Sequence, residues 1–291
     1  MLCSKCGGSV NEGDNFCEEC GASLQKNVVR EASTSMTFPK SDIVVYDNNL
    51  ASATNIGRRH ATNEDSGTVL KRDNGDIVLI VADGVSSSVN ATSASQKAIN
   101  EIKNILTNED DSAKNLISLA IHSADKCIKT LPFESKEDGI YGPETTIVVA
   151  LVQDNTVTIG WVGDSRAYIL NQDKQDQLTI DDSWIELVVE EGLMTREQAV
   201  IDKRAHCVTQ VLGMHDQPSK IHILECKIKE GDLLMLCSDG LWNYFQNEKA
   251  LLNTITAYGI NSNAVDICEN LVGLANAAGG RDNITVALYR R

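Results

Sequence analysis

The sequence has no long apolar run. Its longest apolar stretches, residues 77–82 and 147–152, are far shorter than the roughly 20 residues that span a bilayer. The chain also does not open with the charged, apolar and small-residue pattern of a signal peptide. We therefore expect a cytoplasmic protein with no membrane-spanning segment.

Basic residues are scarce relative to acidic ones, and no five of them are clustered. The chain carries 26 Lys and Arg against 41 Asp and Glu, which gives a formal net charge of −15 at pH 7. A field of this sign repels the phosphate backbone of nucleic acids and anionic membrane surfaces. The charge therefore disfavours nucleic acid as a partner.

Proline is also scarce, with 4 in 291 residues, while 42% of the residues are apolar and 23% are charged. This composition is typical of a globular protein, and the length permits one large domain with a small appendage. Nine cysteines would indicate disulfides in a short secreted chain, but four of them fall within the first 20 residues at metal-ligand spacing. We therefore expect a reducing compartment.

Residues 1–24 contain two Cys-x-x-Cys pairs separated by ten residues, formed by Cys3, Cys6, Cys17 and Cys20. Four soft ligands with no open position describe a closed structural zinc site, and a segment this small cannot bury a core without its metal. A redox Cys-x-x-Cys is the alternative, although it requires a single pair beside a βαβ unit. The segment resembles the small zinc ribbons of many bacterial proteins, which implies one structural Zn²⁺ ion.

Residues 25–49 lose apolar periodicity and have the Ser, Thr and Pro content of a flexible linker. A large domain is predicted over residues 50–291. Its pattern favours antiparallel sheet, because β-rich runs are separated by three short turns, at residues 154–155, 163–165 and 230–232. Turns of this length predict hairpins. Parallel strands would need crossovers of a dozen or more residues, so a doubly wound dinucleotide-binding fold is disfavoured.

Apolar residues at helical spacing predict three helices. One covers about 90–106, one starts at 111–112 and reaches about 131, and one contains 265–275 and stops at 279–280. The strands at 77–82 and 147–152 are apolar at nearly every position, so both of their faces must be covered. The predicted fold class is α+β: a helix, sheet, sheet, helix sandwich of two antiparallel β-sheets flanked by helices.

Short carboxylates lie where these apolar strands begin or end, as Asp83-Gly84, Asp239-Gly240, Asp282 and Glu64-Asp65. Strand ends hold side chains rigidly, as a preorganised cation site requires. Ligand sets made only of oxygen select Mg²⁺ or Mn²⁺ over zinc. A plain Asp-Gly turn explains either pair taken alone, but the joint occurrence indicates a divalent cation site.

Six motifs follow one another in order: 57–65 (GRRHATNED), 81–85 (VADGV), 144–149 (ETTIVV), 162–168 (VGDSRAY), 236–242 (LCSDGLW) and 279–285 (GGRDNIT). Together they resemble the metal-dependent serine/threonine protein phosphatases of type 2C, over about residues 50–291. The resemblance implies a β-sandwich with two Mn²⁺ or Mg²⁺ ions at one end.

By motif position, the resemblance implies that four residues are metal ligands. Asp83 is expected to bridge the two ions, Gly84 to offer its carbonyl to one of them, and Asp239 and Asp282 to bind the other.

The resemblance also implies that Glu64 and Asp65 hold water bound to the metal. Two cations lower the pKa of a shared water, so that hydroxide attacks phosphorus in line without a covalent enzyme intermediate. No cysteine begins a Cys-x5-Arg loop, which removes the thiol mechanism as a competitor.

The chain departs from the family pattern at three places. Residues 85–88 read Val-Ser-Ser-Ser, where many relatives have His or Met followed by two glycines, so the leaving group must take its proton from water or another side chain. The phosphate-binding Arg of the family falls on His60, with Arg58 and Arg59 as substitutes. Glu144 replaces the glycine of Gly-Thr-Thr, which leaves a third metal ion open.

Either Asp138 or Glu144 is a candidate ligand for such a third ion. Asp164, in the Gly-Asp-Ser-Arg motif, is predicted to be part of a structural turn. Residues 178–212 correspond to the helical flap that lies beside the active site in the family and influences substrate choice.

The predicted function is therefore hydrolysis of phosphoserine and phosphothreonine in proteins. Its partners would be a phosphorylated protein substrate and a cognate serine/threonine kinase. One alternative is a catalytically weak phosphatase fold that serves as a scaffold or phosphoprotein-binding module. Another is a nucleic-acid adaptor that acts through the zinc ribbon, which the net charge disfavours.

Overall fold

The structure is a computed structural model that describes residues 39–136, 139–173, 175–215, 219–245, 247–257 and 262–291. The strands are β1 (Asp42–Asp47), β2 (Leu50–Asn55), β3 (Asp65–Lys71), β4 (Ile77–Asp83), β5 (Glu134–Lys136), β6 (Gly139–Tyr141), β7 (Ile147–Gln153), β8 (Thr156–Val162), β9 (Arg166–Leu170), β10 (Gln175–Gln177), β11 (His222–Lys227), β12 (Leu233–Cys237) and β13 (Ile284–Arg290). The helices are α1 (Ala91–Asn108), α2 (Ala113–Ile128), α3 (Trp184–Glu190), α4 (Arg196–Ala199), α5 (Asp239–Trp242), α6 (Glu248–Ala257) and α7 (Ala264–Ala277).

Two antiparallel sheets form the centre of the molecule. One sheet has the order β1-β2-β13-β12-β9-β10 and the other the order β11-β8-β7-β4-β3. Side chains from β4, β7, β8, β9, β12 and β13 fill the layer between the sheets. Helices α1 and α2 cover the outside of the five-stranded sheet, and α6 and α7 cover the outside of the six-stranded sheet. The predicted helix, sheet, sheet, helix sandwich is confirmed for this part of the chain.

Of the three predicted hairpins, one is confirmed and two are wrong. Strands β7 and β8 pair across residues 154–155, with Gln153 opposite Thr156. The turn at 163–165 instead carries the chain from β8 in one sheet to β9 in the other, and the turn at 230–232 does the same between β11 and β12. Stacked sheets lie about 10 Å apart, a gap that a short turn also spans.

A glycine makes the first of these crossings sterically feasible. Gly163 has a φ of +103°, and a Cβ built on it would lie 2.7 Å from the Thr146 side chain. A residue with a side chain would meet both the strained backbone region and this contact.

The predicted linker extends too far toward the domain. Residues 42–47, assigned to a flexible tether, form β1, which pairs with β2 at the edge of the six-stranded sheet. Most residues of β1 are exposed, Val45 and Tyr46 among them. The strand therefore lacks the alternation of buried and exposed residues by which a sequence pattern reveals a strand. Residues 1–38, with the predicted zinc ribbon, lie outside the described residues.

The helices begin and end close to the predicted positions. Helix α2 starts at a Ser112 cap whose hydroxyl accepts from the Asn115 amide, which satisfies one of the unpaired N–H groups of the first turn. The predicted flap region contains α3 and α4. Among the described helices, none combines the length and the apolar character that crossing a membrane requires.

Candidate functional site

Two neighbouring strands of the five-stranded sheet present a pair of carboxyl groups. Asp65, the first residue of β3, lies directly opposite Asp83, the last residue of β4. Asp65 is buried, and its carboxyl interacts with that of Asp83. The strand-end position predicted for both residues thus places them side by side at one end of the sandwich.

The six-stranded sheet contributes two more carboxylates at the same end. Asp239 follows β12 and begins α5, and Asp282 lies just before β13. Ser238 joins the sheets, because its hydroxyl donates to Asp65 Oδ2 over 2.7 Å and accepts from the Thr285 amide over 3.0 Å. The two sheets therefore meet around the carboxylates.

The aspartate carboxyl groups at this end of the sandwich raise one another's pKa values. Burial raises the pKa of Asp65 to about 6. The pKa of Asp83 is raised well above its ordinary value, first by burial and then by the charges of Asp65, Asp239, Asp164 and Asp282. Burial and the charges of Asp164, Asp282 and Asp65 likewise raise the pKa of Asp239. These carboxylates repel one another unless protons or cations neutralise them.

The donor set fits divalent cations, and one buried atom supports that fit. Asp65 Oδ1 is buried without a hydrogen-bond partner, which is costly for a carboxylate oxygen unless a ligand satisfies it. Carboxylate oxygens are the donors that Mg²⁺ and Mn²⁺ prefer. Among the described residues, however, no group of three His, Cys, Asp or Glu side chains is arranged so that it could hold a metal ion as it stands.

The backbone of Asp83 is held by two threonines that directly precede β7. The Asp83 amide donates to Thr146 Oγ1 over 3.2 Å, and its carbonyl accepts from Thr145 Oγ1 over 2.9 Å. At Gly84, a Cβ would lie 2.6 Å from the Ala91 carbonyl oxygen and 2.7 Å from that of Glu64. The close packing of three backbone segments explains why glycine occupies position 84.

Glu64 is oriented by contacts with two other motifs. Its amide donates to Asn283 Oδ1 over 2.7 Å. Its carboxylate accepts from Ser86 Oγ over 2.5 Å. The Val-Ser-Ser-Ser loop that departs from the family pattern therefore directly positions a predicted site carboxylate.

Among the three predicted phosphate-binding residues, the structure brings His60 closest to the carboxylates. His60 Nε2 lies 3.3 Å from Asp282 Oδ1. Arg58 and Arg59 are exposed, and the Arg58 amide donates to the Gly280 carbonyl over 2.6 Å. The Arg58 backbone therefore lies beside the segment that leads to Asp282.

Asp164, which the sequence predicts to be part of a structural turn, also lies close to these carboxylates. Its pKa is raised to about 7, first by burial and then by the charge of Asp181, and its own charge acts on Asp83 and Asp239. Asp164 lies two residues after the last residue of the apolar strand β8, just as Asp239 lies two residues after the last residue of β12. The Gly-Asp-Ser turn motif accounts for Asp164 locally, so the sequence analysis did not place it in the site. Of the two candidates for a third ion, Glu144 is half-buried, and Asp138 lies outside the described residues.

Two cysteines of the large domain are buried, which makes their thiols poor nucleophiles. Cys237 and Cys268 are fully buried, and burial raises the pKa of both thiols far above the ordinary value. Cysteine reactivity requires the thiolate. The four predicted zinc ligands, Cys3, Cys6, Cys17 and Cys20, lie outside the described residues.

Comparison with known sequences gives consistent matches. The sequence pattern of the family described as protein phosphatase 2C matches residues 55–273. The serine/threonine phosphatase stp of Listeria innocua is 31% identical over 245 residues, which are 82% of this chain and 94% of that protein. The protein phosphatase PhpP of Streptococcus pneumoniae is 27% identical over 238 residues, 81% of this chain and 94% of that protein.

Solved structures give the same result. The Streptococcus agalactiae serine/threonine phosphatase superposes with a TM-score of 0.72 at 28% identity, covering 87% of this chain and all of that one. The catalytic domain of the phosphatase PstP, solved with two manganese ions, superposes with a TM-score of 0.65 at 26% identity, covering 82% of this chain and 96% of its own.

Proposed function

The chain belongs to the protein phosphatase 2C family, and we propose that it hydrolyses phosphoserine and phosphothreonine in proteins with the help of two Mn²⁺ or Mg²⁺ ions. It is a metal-dependent protein phosphatase. The observation that carries the finer proposal is the cluster of carboxylates around Asp83, whose mutual repulsion calls for cations.

The proposed ligands are distributed over both sheets. Asp83 would lie between the two ions, Gly84 would offer its carbonyl oxygen, and Asp239 and Asp282 would hold the second ion. Asp164 lies close enough to Asp239 for its charge to raise the pKa of the Asp239 carboxyl. We therefore add Asp164 to the proposed ligand set. Two bound cations lower the pKa of a shared water and neutralise phosphoryl oxygens.

The chain's own groups orient the water and the substrate. The unpartnered Asp65 Oδ1 and the Glu64 carboxylate, fixed by Ser86, are acceptors for the protons of the attacking water. The exposed Arg58 and Arg59 would meet the negative phosphoryl group, because guanidinium groups match phosphate geometry. His60 would hold Asp282 in place.

The substrate would be a phosphorylated protein, and the serine/threonine kinase that phosphorylates it would be the natural counterpart in the cytoplasm. Two Cys-x-x-Cys pairs support a further zinc ion in residues 1–24, bound by Cys3, Cys6, Cys17 and Cys20. We propose that this ribbon docks the phosphatase domain to a protein partner, since four of its charged residues are acidic against one Lys.

The test is turnover of phosphoserine and phosphothreonine peptides with Mn²⁺ and with a chelator. We expect steady hydrolysis with manganese and its loss with chelator. Asp83→Asn should reduce kcat/KM at least about 10- to 100-fold, as the loss of groups that support a metal does. Asp110→Asn, the same change at an exposed position, should leave the rate unchanged.

A protein that binds phosphopeptides without turning them over would instead support the scaffold alternative. Undiminished hydrolysis by Asp83→Asn at equal manganese would contradict the proposed role of the carboxylates.

A further inference from the structure

Asp164 and Asp239 belong to the same carboxylate cluster but lie on different elements of the fold. Asp164 lies on the turn that crosses between the sheets, and Asp239 begins α5. Whatever holds this turn against α5 therefore sets how far apart two of the carboxylates stand.

One side chain ties these two elements together. Trp242, the last residue of α5, donates its indole N–H to the Asp164 carbonyl over 3.0 Å. The guanidinium carbon of Arg166 lies 3.5 Å from the centroid of the Trp242 ring, a cation–π contact that fixes the ring plane.

Arg166 extends this connection to the root of the flap (residues 178–212). Its Nη2 donates to Asp181 Oδ2 over 2.7 Å and its Nε to Asp181 Oδ1 over 3.0 Å. The Asp181 side chain is only 8% exposed, so water screens this pair little. A bidentate contact between arginine and carboxylate fixes the orientation of the two side chains as well as the distance between them.

The next residue of the flap root holds the other end of the same turn. Asp182 Oδ2 accepts from the Gly163 amide over 2.9 Å, and Asp182 Oδ1 lies 2.9 Å from His222 Nε2. The His222 ring stacks on Trp161, with centroids 5.0 Å apart. Asp181 and Asp182, the two residues that form the root of the flap, thus hydrogen-bond to Arg166 and Gly163 on either side of Asp164.

We propose that Asp181 and Asp182 are positioning residues that couple the flap to the cation site by setting the separation of Asp164 and Asp239 through Arg166 and Trp242. This inference rests on the proposed function. Movement of the flap by a bound phosphoprotein would change cation affinity, and cations would in turn steady the flap, because coupling between two binding events is reciprocal.

Calorimetric titration of the full-length protein with Mn²⁺ tests the connection. Trp242→Phe keeps an aromatic ring, although a smaller one, under Arg166 and removes the indole donor. Asp181→Asn keeps the shape and removes the charge. Each should weaken manganese affinity about 10-fold or more. If Asp181 acts through Arg166 and Trp242, the double variant should bind manganese no more weakly than Trp242→Phe alone, a clear departure from additivity.

Asp202→Asn is the matched control, because Asp202 lies in the same flap and pairs with Arg204 at the surface. It should bind manganese like the wild type. Limited proteolysis of the flap supplies a readout that a merely structural role would not change. Manganese should slow cleavage of the wild type and of Asp202→Asn, but not of Trp242→Phe.

The outcomes separate the two proposals. A wild type that neither binds manganese nor hydrolyses phosphopeptides overturns the proposed function. A wild type that does both, while Trp242→Phe and Asp181→Asn bind manganese as tightly, overturns the coupling alone. Should either variant fail to fold, Asp182→Asn, which weakens the grip on Gly163, replaces it under the same criterion.

Discussion

The carboxylates illustrate what single residues reveal. The rule that a short acidic residue at a strand end marks a rigid cation ligand pointed to Asp83, Asp239 and Asp282, and the structure groups their charges. It was not applied to Asp164, because a Gly-Asp-Ser turn has its own local explanation. The contact of His60 with Asp282 depends on tertiary structure, which no local pattern encodes.

The raised pKa values predict how stability without metal depends on pH. The Asp65 and Asp164 carboxyls titrate near 6 and 7 in the folded state against an ordinary value of 3.8. The folded state therefore favours the neutral forms of both carboxyls. Their contribution to the stability of the folded state is fully present below pH 3.8 and is lost as the pH rises through about 6 to 7.

We expect the melting temperature in chelator to fall by at least about 5 °C between pH 5.5 and pH 8, since each pKa unit is worth about 1.4 kcal/mol and each kcal/mol about 2–4 °C. Thermal denaturation at the two pH values measures it. Asp164→Asn should show a smaller fall. A metal-free wild type that is equally stable at both pH values would contradict the predicted charge repulsion.

For the helices and strands, the sequence predicts their positions better than their pairing. Strand and helix positions followed from apolar periodicity, and a two-residue turn correctly predicted the β7–β8 hairpin. The partner of a strand did not follow, because a three-residue turn fits both a hairpin and a crossing between stacked sheets. The difference lies in long-range pairing, such as that of β9 with β12, which local sequence does not report.

The crossing turn gives a prediction for Gly163. Gly163→Ala should lower the free energy of unfolding by about 2 kcal/mol or more, because it adds a contact with Thr146 to an unfavourable φ. Gly192→Ala is the control, since Gly192 also has a positive φ but nothing within 4 Å of its Cβ position. It should have a smaller effect, of about 1 kcal/mol. Urea denaturation measures both, and equal losses would rule out the predicted contact.

At the scale of the whole molecule, the layered architecture was predictable because β4 and β7 are apolar on both faces and must be covered on both. The edge strand β1 was not, since its exposed side chains show no buried face. The meeting of both sheets at one carboxylate cluster follows from the sandwich, in which strand ends from different sheets converge.

The amino-terminal cysteines give a prediction for the complete chain. Purified protein should contain one zinc per chain by elemental analysis. Cys17→Ser should lose it, because a structural site needs all four ligands. Cys207→Ser, at an exposed cysteine of the flap, should retain it. Full zinc content in Cys17→Ser would exclude the proposed ribbon.

Anomalous diffraction from manganese-soaked crystals, recorded at the manganese edge, tests the central claim most directly. The account predicts two peaks that share Asp83 as a ligand, with Asp239 and Asp282 on one of them. No peak at this end of the sandwich, in crystals of a protein that hydrolyses phosphopeptides with manganese, would contradict it.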